Sequence, residues 1–579
     1  MRMKRLLVIA LFALLFSGRA TADTEQQFIE HRGDRYVINV EAMAPDREMT
    51  LMDVLQACPE LISDTGKRIT QNYEIRIDNV TLMMDDATVL EALKASEIST
   101  IEVYLYTSVA ISGGGDAGII DIYLKLQADG HTSGKLLLEG STRGNGKAYA
   151  DVITRSGSVT LRGYALANLE YAHGPLAPDG HYSSRQGTQN VHLNVDWDIS
   201  TDDNLKVKLS EGFLDSKQRL FTADYPFQTP TLERNWMGTA SYTRTLNERG
   251  ATLLAEGGAD YLNTRIEDVK QRELFTYYFT EANIPCLDNS LNILAGWEID
   301  YYNAWMRNVD RQQTMFNDLY LQIDYAKGPW VLALGNRFRI INYWHRLYDA
   351  SDATLWDNSR TEHSCLVSAG YKAGRHFVQG LFNRDYNTPL IDYLYAGYDA
   401  DNGCQVYLSD FDAAKLYSVE ARYAYQQPGF SCSGSVLHRW AASSPVADEK
   451  YTGVRATATW RRGPFLLTAG ADYFHWQVDN PDYIGNRYYN FFNLRLLPTL
   501  LLNGGWRFSA RLFCNSRRNL LVETPAHLYA SVKVSKELGR HCTVSLDCHD
   551  LAGAPRVPGY LVGHSYDNRA LTLGFTYRL

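Results

Sequence analysis

The feature that most narrows the fold of this chain is a side-chain alternation of period two at its end. In RALTLGFTYRL (Arg569–Leu579), Leu571, Leu573, Phe575, Tyr577 and Leu579 are apolar, and Thr572, Gly574, Thr576 and Arg578 stand between them. A strand sends successive side chains to opposite faces, so one face here is greasy and the other small or polar. His541–Leu551 repeats the pattern, with Cys542, Val544, Leu546 and Cys548 opposite His541, Thr543, Ser545, Asp547 and His549. Pro464–Phe474 does so again, setting Phe465, Leu467, Ala469, Ala471 and Tyr473 against Thr468, Gly470 and Asp472. Such strands cross a membrane with lipid on one side and water or protein on the other. After residue 20 no uninterrupted apolar run reaches membrane-helix length, which excludes a helical membrane protein.

The connections carry independent information. From Lys135 onward the pattern predicts strands of about 10 to 14 residues. Short turn signals recur at Thr201–Asn204, Asn247–Gly250, Ala326–Pro329, Lys372–Arg375, Gln426–Gly429, Arg461–Pro464, Asn503–Gly505 and Glu537–Arg540. Between them lie longer polar or Tyr-rich stretches: His173–Gln186, Ser216–Glu233, His345–Thr361, Asn387–Phe411, Asp479–Asn486 and Ala552–Asn568. An outer-membrane barrel has this asymmetry of tight periplasmic turns and longer outer loops, and a sandwich or propeller has no physical reason for it. Glu281–Ser290 breaks the rule, reading as long where a short turn is expected. The predicted fold is a transmembrane β-barrel of about 22 antiparallel strands, a size at which the lumen needs a filling. The 38 Tyr and 11 Trp suit its aromatic girdles.

Ahead of the strands, Met1–Arg5 is basic, Leu6–Phe16 is apolar and Ala20-Thr21-Ala22 has small residues at both ends, so residues 1–22 read as a secretory signal cleaved after Ala22. Its loss removes Arg2, Lys4, Arg5 and Arg19 and takes the formal net charge from −9 to about −13, which disfavours nucleic acid as a partner. Eight cysteines show no Cys-x-x-Cys pair and read mainly as small apolar residues; Cys542 and Cys548 share a strand face and cannot pair without bending it.

Residues 23–130 have a different grammar. Tyr36–Val40 is β-prone; Thr50 opens a short helix whose Leu51, Met52 and Leu55 share a face and which Pro59 ends; Glu74–Val80 alternates apolar and charged; Asp86–Lys94 is a second short helix. Ala95–Leu126 then places two strand-like runs, Ile98–Tyr106 and Gly118–Leu126, around a glycine-rich turn. Ile101-Glu102-Val103, the glycines through Gly114 and Gly115, and Gly118-Ile119-Ile120-Asp121-Ile122 together resemble the end of the plug domain of TonB-dependent outer-membrane receptors. Thr50–Leu61 and Glu74–Val80 resemble that family's helix and Ile-Asp-Gly strand, with Glu60 and Asn79 where the family usually has glycine. The resemblance implies a small α/β plug over 23–130 inside a barrel over 131–579. It also implies the outer membrane of a Gram-negative cell, outer-membrane lipid around the wall, and TonB with its inner-membrane proton-motive complex as partner; a surface lipoprotein is a further candidate. The implied function is active uptake of a scarce or bulky nutrient: a metal chelate, haem, cobalamin or an oligosaccharide. The alternatives are a plugged barrel serving binding or assembly without energised transport, and a passive porin with a vestigial plug.

No catalytic constellation stands out. STRGNGKAY lacks the first Gly and the Ser/Thr of a phosphate loop, the 14 His show no metal spacing, and Cys548 and His549 point to opposite faces of one strand. The expectation is therefore no enzyme, no metal and no cofactor. Glu97 and Glu102, alternating with Ile98, Ile101 and Val103, read as the polar face of a strand in a wet lumen. Candidate ligand residues are the aromatics of the longest outer segments: Trp356, Tyr393, Tyr395, Tyr398 and Tyr407. The candidate TonB contact is the one apolar spot ahead of the plug, Gln27-Phe28-Ile29.

Overall fold

The structure, a computed structural model, describes residues 29–31, 35–43, 49–56, 73–77, 80–81, 90, 93–104, 118–125, 128–176, 180–221, 226–266, 269–306, 310–348, 353–387, 395–399, 404–407, 414–442, 449–478, 488–516, 518–519, 523–524, 526–552 and 569–579. Strand after strand from Thr132–Ser141 to Ala570–Arg578 pairs with its neighbour in sequence, and the last returns to the first, Thr572–Arg578 lying antiparallel to Lys135–Ser141. The result is a closed barrel of 22 strands, which leaves no open sheet edge for lipid to desolvate.

The period-two reading holds on each strand from which it was drawn. Leu571, Leu573, Phe575, Tyr577 and Leu579 are exposed on the outer face, whereas Thr576 is buried inside. Tyr473 and Leu546 face out, and Thr468, Asp472 and Asp547 face in. The six cysteines whose side chains are described, Cys542 and Cys548 among them, are free thiols.

The short turn signals all fall at one end of the barrel. Gly429 illustrates the constraint: its φ is +72°, and an added Cβ would lie 2.9 Å from the Arg461 carbonyl oxygen. The long segments differ from expectation. His173–Gln186, Ser216–Glu233 and His345–Thr361 are mostly ladder, because the flanking strands run on to Leu176, Phe221 and Tyr348 and resume at Gly180, Pro226 and Ala353. Strands here reach 21 residues (Ala353–Ala373), well beyond the expected length. Polar sequence was the reason they read as loops; past the membrane both faces of a hairpin meet water, while its backbone groups still gain by pairing. Glu281–Ser290 is corrected in the same way. Val269–Cys286 stays in the ladder, and the turn is only Leu287–Ser290, with Leu287, Asp288 and Asn289 in the left-handed region.

Inside stands a six-stranded sheet: β1 (Ile29–His31), β2 (Arg35–Ile38), β3 (Tyr73–Ile77), β4 (Val80–Thr81), β5 (Ile98–Tyr104) and β6 (Gly118–Leu124), in spatial order β1-β2-β5-β6-β3-β4. β5 and β6 are antiparallel, and β6 runs parallel to β3. Helices α1 (Val40–Met43) and α2 (Leu51–Gln56) cover it. Ile98, Ile101 and Val103, predicted as the apolar face, are fully buried with Leu51, Val54 and Leu55 of α2. Val80 belongs to β4 rather than to one strand from Glu74. Gly114, Gly115, Glu60 and Asn79 lie outside the described residues, as does most of the predicted helix Asp86–Lys94.

Candidate functional site: the plug and the luminal wall

The plug core does not end at its own surface. Its cluster of buried side chains continues into Leu137, Tyr149, Leu166, Tyr320, Leu366, Leu381, Leu437 and Leu466, which are luminal positions of the wall. One polar contact is set into this seam. Glu97 lies in a 3-10 turn (Ala95–Glu97) just ahead of β5, not on the strand's polar face as expected. Its carboxylate accepts from Lys135 Nζ at 3.0 and 2.8 Å and from the Lys94 backbone N–H at 2.6 Å. Lys135, on the first barrel strand, is 5% exposed and also meets Asp151 at 3.4 Å; Tyr149 in turn donates to Asp151 at 2.8 Å. Burial alone would raise the Glu97 pKa, but Lys135 and the Lys94 N–H outweigh it and hold the carboxyl below 4.5. Glu102 does lie on β5, held inside the plug by Arg35 at 3.0 Å and by the Tyr104 hydroxyl at 3.0 Å.

A second polar cluster braces the wall itself. Arg337 and Arg339 are each 1% exposed on the luminal face of Trp330–Tyr348. Both converge on Asp318, with Nε-to-carboxylate distances of 2.6 Å. Arg337 also reaches Glu298, and Arg339 lies 3.8 Å from Asp300. The guanidiniums pack over the rings of Tyr320 and Phe316 at 5.3 and 4.7 Å. Two cations against three carboxylates are tolerable in this dry place because each charge has an opposite neighbour.

The tyrosines divide between two duties. Tyr278, Tyr371, Tyr423, Tyr473 and Tyr577 face outward, as girdle residues should. Others face the lumen and donate to carboxylates across strands: Tyr277 to Glu256 at 2.8 Å, Tyr302 to Glu273 at 2.6 Å and Tyr320 to Glu281 at 2.9 Å. Several luminal rings also cover a neighbouring glycine; a Cβ on Gly296 would fall 2.2 Å from the Tyr320 ring, and one on Gly453 2.7 Å from Phe474.

Of the candidate ligand residues, Tyr395, Tyr398 and Tyr407 lie on a small separate hairpin, Tyr395–Asp399 against Cys404–Tyr407, with Tyr395 opposite Tyr407. Trp356 is a strand residue opposite His345 in the tall hairpin Trp330–Tyr348/Ala353–Ala373. Tyr393, Gln27 and Phe28 lie outside the described residues. Ile29 is 5% exposed in β1, the edge strand of the plug, opposite Ile38. Sequence reasoning missed Lys135, Asp151, Arg337, Arg339 and Asp318. Their strand parity was the available signal, since a charge at a luminal position within a membrane span needs a partner.

A closed antiparallel barrel with an apolar outer face and a sheet domain packed in its lumen is a plugged outer-membrane barrel. No family model and no curated protein matches the sequence. Solved structures do match. The siderophore receptor PirA from Pseudomonas aeruginosa is similar over 95% of this chain and 100% of its own, with TM-score 0.68 and 13% identity. The copper transporter OprC matches over 96% and 100%, with TM-score 0.72 and 10% identity. The ferric yersiniabactin uptake receptor FyuA from Yersinia pestis matches over 95% and 98%, with TM-score 0.68 and 13% identity. The fold is that of the TonB-dependent outer-membrane receptors, as the plug motifs implied.

Proposed function

We propose that this chain is an energised outer-membrane receptor that takes up a scarce or bulky nutrient, and that it carries out no catalysis. The observation that carries the reading is the plug's seat: its core is continuous with the wall, and Glu97 is held by a buried lysine of the first strand. A passenger must displace that contact, and the outer membrane has no nucleotide or ion gradient of its own to do so. Force delivered by TonB from the inner membrane supplies the work. β1 supports a point of application, being the edge of the plug sheet and paired with β2 through Ile29, Glu30 and His31 among the described residues. A strand added there, at Gln27-Phe28-Ile29, draws on β1, then β2, then β5, whose first residue follows Glu97 directly.

Within the chelate, haem, cobalamin and oligosaccharide classes, a metal chelate is the substrate favoured by the likeness to siderophore and copper receptors. The ligand contact would be made by Trp356, Tyr393, Tyr395, Tyr398 and Tyr407, whose rings suit planar chelates or sugars. The test is uptake of labelled ferric and cupric chelates by a deletion strain carrying this chain or its Phe28→Pro variant, with and without a proton uncoupler. Uptake abolished by the uncoupler and by Phe28→Pro, with surface binding intact, supports the proposal. Uncoupler-insensitive uptake would mean a passive pore, and binding without uptake would mean a binding or assembly barrel. Alanine at Tyr393, Tyr395 and Tyr398 together should remove surface binding; unchanged binding would rule out the hairpin as the site.

A further inference from the structure

We infer that the luminal wall carries a site for an alkylammonium group of the passenger, formed by Glu233, Asn235, Asp260 and Glu273 and continued toward the tight-turn end by the rings of Phe275, Tyr277 and Phe279. The inference rests on the uptake reading and names the substrate class within it, a chelate that bears a free amine. Four successive strands form this part of the wall: Pro226–Thr245, Thr252–Ile266, Val269–Cys286 and Leu291–Met306. Buried Asn235, Thr239, Thr264 and Asp300 mark their luminal positions, and exposed Trp236, Tyr278 and Trp297 mark the outward ones. By that parity every charged side chain on the luminal side of these strands is an acid, whereas Arg234, Lys270 and Arg272 face out.

The register draws the acids together. Asn235, Leu262 and Glu273 form one cross-strand row, so Asn235 and Glu273 stand two strands, or about 10 Å, apart. Asp260 is the next luminal residue on the strand between them, and Glu233 the next beyond Asn235. The charges that act on Glu233 and Asp260 are those of neighbouring acids, and among the described residues no lysine, arginine or histidine pairs with either. Asn235, 8% exposed, donates its amide N–H to Asp260, which leaves its own Oδ1 and Asp260 Oδ1 buried without a donor. Both atoms are acceptors, so a group that satisfies them must donate, and burial makes that satisfaction worth having. An ammonium brings three N–H donors together with the charge that the carboxylates oppose. Among the described residues no three acids converge as metal ligands, so the group that fits is an organic cation rather than a bare metal ion. From Glu273 the luminal positions of Val269–Cys286 continue as Phe275, Tyr277 and Phe279, with ring centroids 5.9 and 6.4 Å apart, and end at Glu281. Aromatic faces attract ammonium groups as carboxylates do. The plug supplies a precedent, because the charge of Arg76 on β3 acts on Tyr277 in the middle of this ladder. An anionic chelate would meet repulsion along the same path.

The test is equilibrium binding to the purified full chain in nanodiscs, without TonB and with empty nanodiscs as the blank. The probe is a dansyl-tagged pentylamine, read by its fluorescence and compared with the same molecule N-acetylated. The native chain should bind the amine at least about tenfold more tightly than the acetylated form. Glu233→Gln/Asp260→Asn/Glu273→Gln should abolish that preference, and Asp260→Asn alone should reduce it. The single variant decides the matter if the triple does not assemble, because heat-resistant migration on a gel reports a closed barrel. Equal affinity for the two probes, or a full preference retained by either assembled variant, would overturn the inference. So would release of the amine by equimolar magnesium, which indicates a general cation site. The outcome is separate from that of the uptake assay: an amine preference beside uncoupler-insensitive uptake overturns the energised reading and leaves the site standing, and energised uptake without the preference overturns the site alone.

Discussion

Glu97→Gln tests whether the plug is latched to the wall by charge. The native carboxylate takes two contacts from Lys135, at 3.0 and 2.8 Å, and a third from the Lys94 N–H at 2.6 Å. The amide keeps one acceptor and loses the charge. Hydrogen bonds to charged groups contribute roughly 1.5–3 kcal/mol each, and the Asp151 carboxylate, 3.4 Å from Lys135, still offers it a counter-charge. The lower part of that range applies, about 1.5–2 kcal/mol, or a plug-opening constant raised about 10- to 30-fold. Lys135→Met should cost more, about 3 kcal/mol, because it strands the buried Asp151. The assay is native-state hydrogen exchange at amides of β5 and β6, with the barrel strands as internal reference. The pH dependence follows from the sign of the Glu97 shift. Its folded value lies below 4.5, so the stabilisation is complete above that value and disappears as pH falls through the lower folded one. At pH 7 the native and Glu97→Gln proteins should therefore differ, and under sufficiently acid conditions they should converge. Unchanged exchange in β5 and β6 at pH 7, or an equal loss of protection in the barrel, would refute the latch.

Leu573→Arg should destabilise the barrel by roughly 2–4 kcal/mol and Thr572→Arg far less, as measured by denaturant midpoints in detergent; equal effects would contradict the facing. Gly296→Ala should cost about 1–3 kcal/mol by pushing the Tyr320 ring from its seat, visible as a lowered midpoint. Asp318→Ala removes the carboxylate that Arg337 and Arg339 share and should cost about 3–5 kcal/mol, whereas Glu298→Gln, at the wetter edge of the cluster, should cost less.

Parity, sidedness and approximate strand number were legible in the chain because they are local and lipid enforces them at each outward position. Leu571 through Leu579 could be assigned to the outer face without knowing their neighbours, since any strand in that solvent must show it carbon there. The turn end was legible because a tight reversal needs glycine or asparagine at fixed places. The plug motifs were legible for a similar reason: Ile101 and Val103 alternate with Glu102 whatever surrounds them. Hairpin height was not legible, because beyond the membrane polarity no longer distinguishes strand from loop, and Glu281–Ser290 was misread on the same ground. Nor could sequence show that Lys135 meets Glu97, that Asp318 is shared by Arg337 and Arg339, or that Asn235 reaches Asp260. Those contacts join residues on different elements, and which residues meet depends on register. Closure of the whole barrel sets that register, and no single strand carries it.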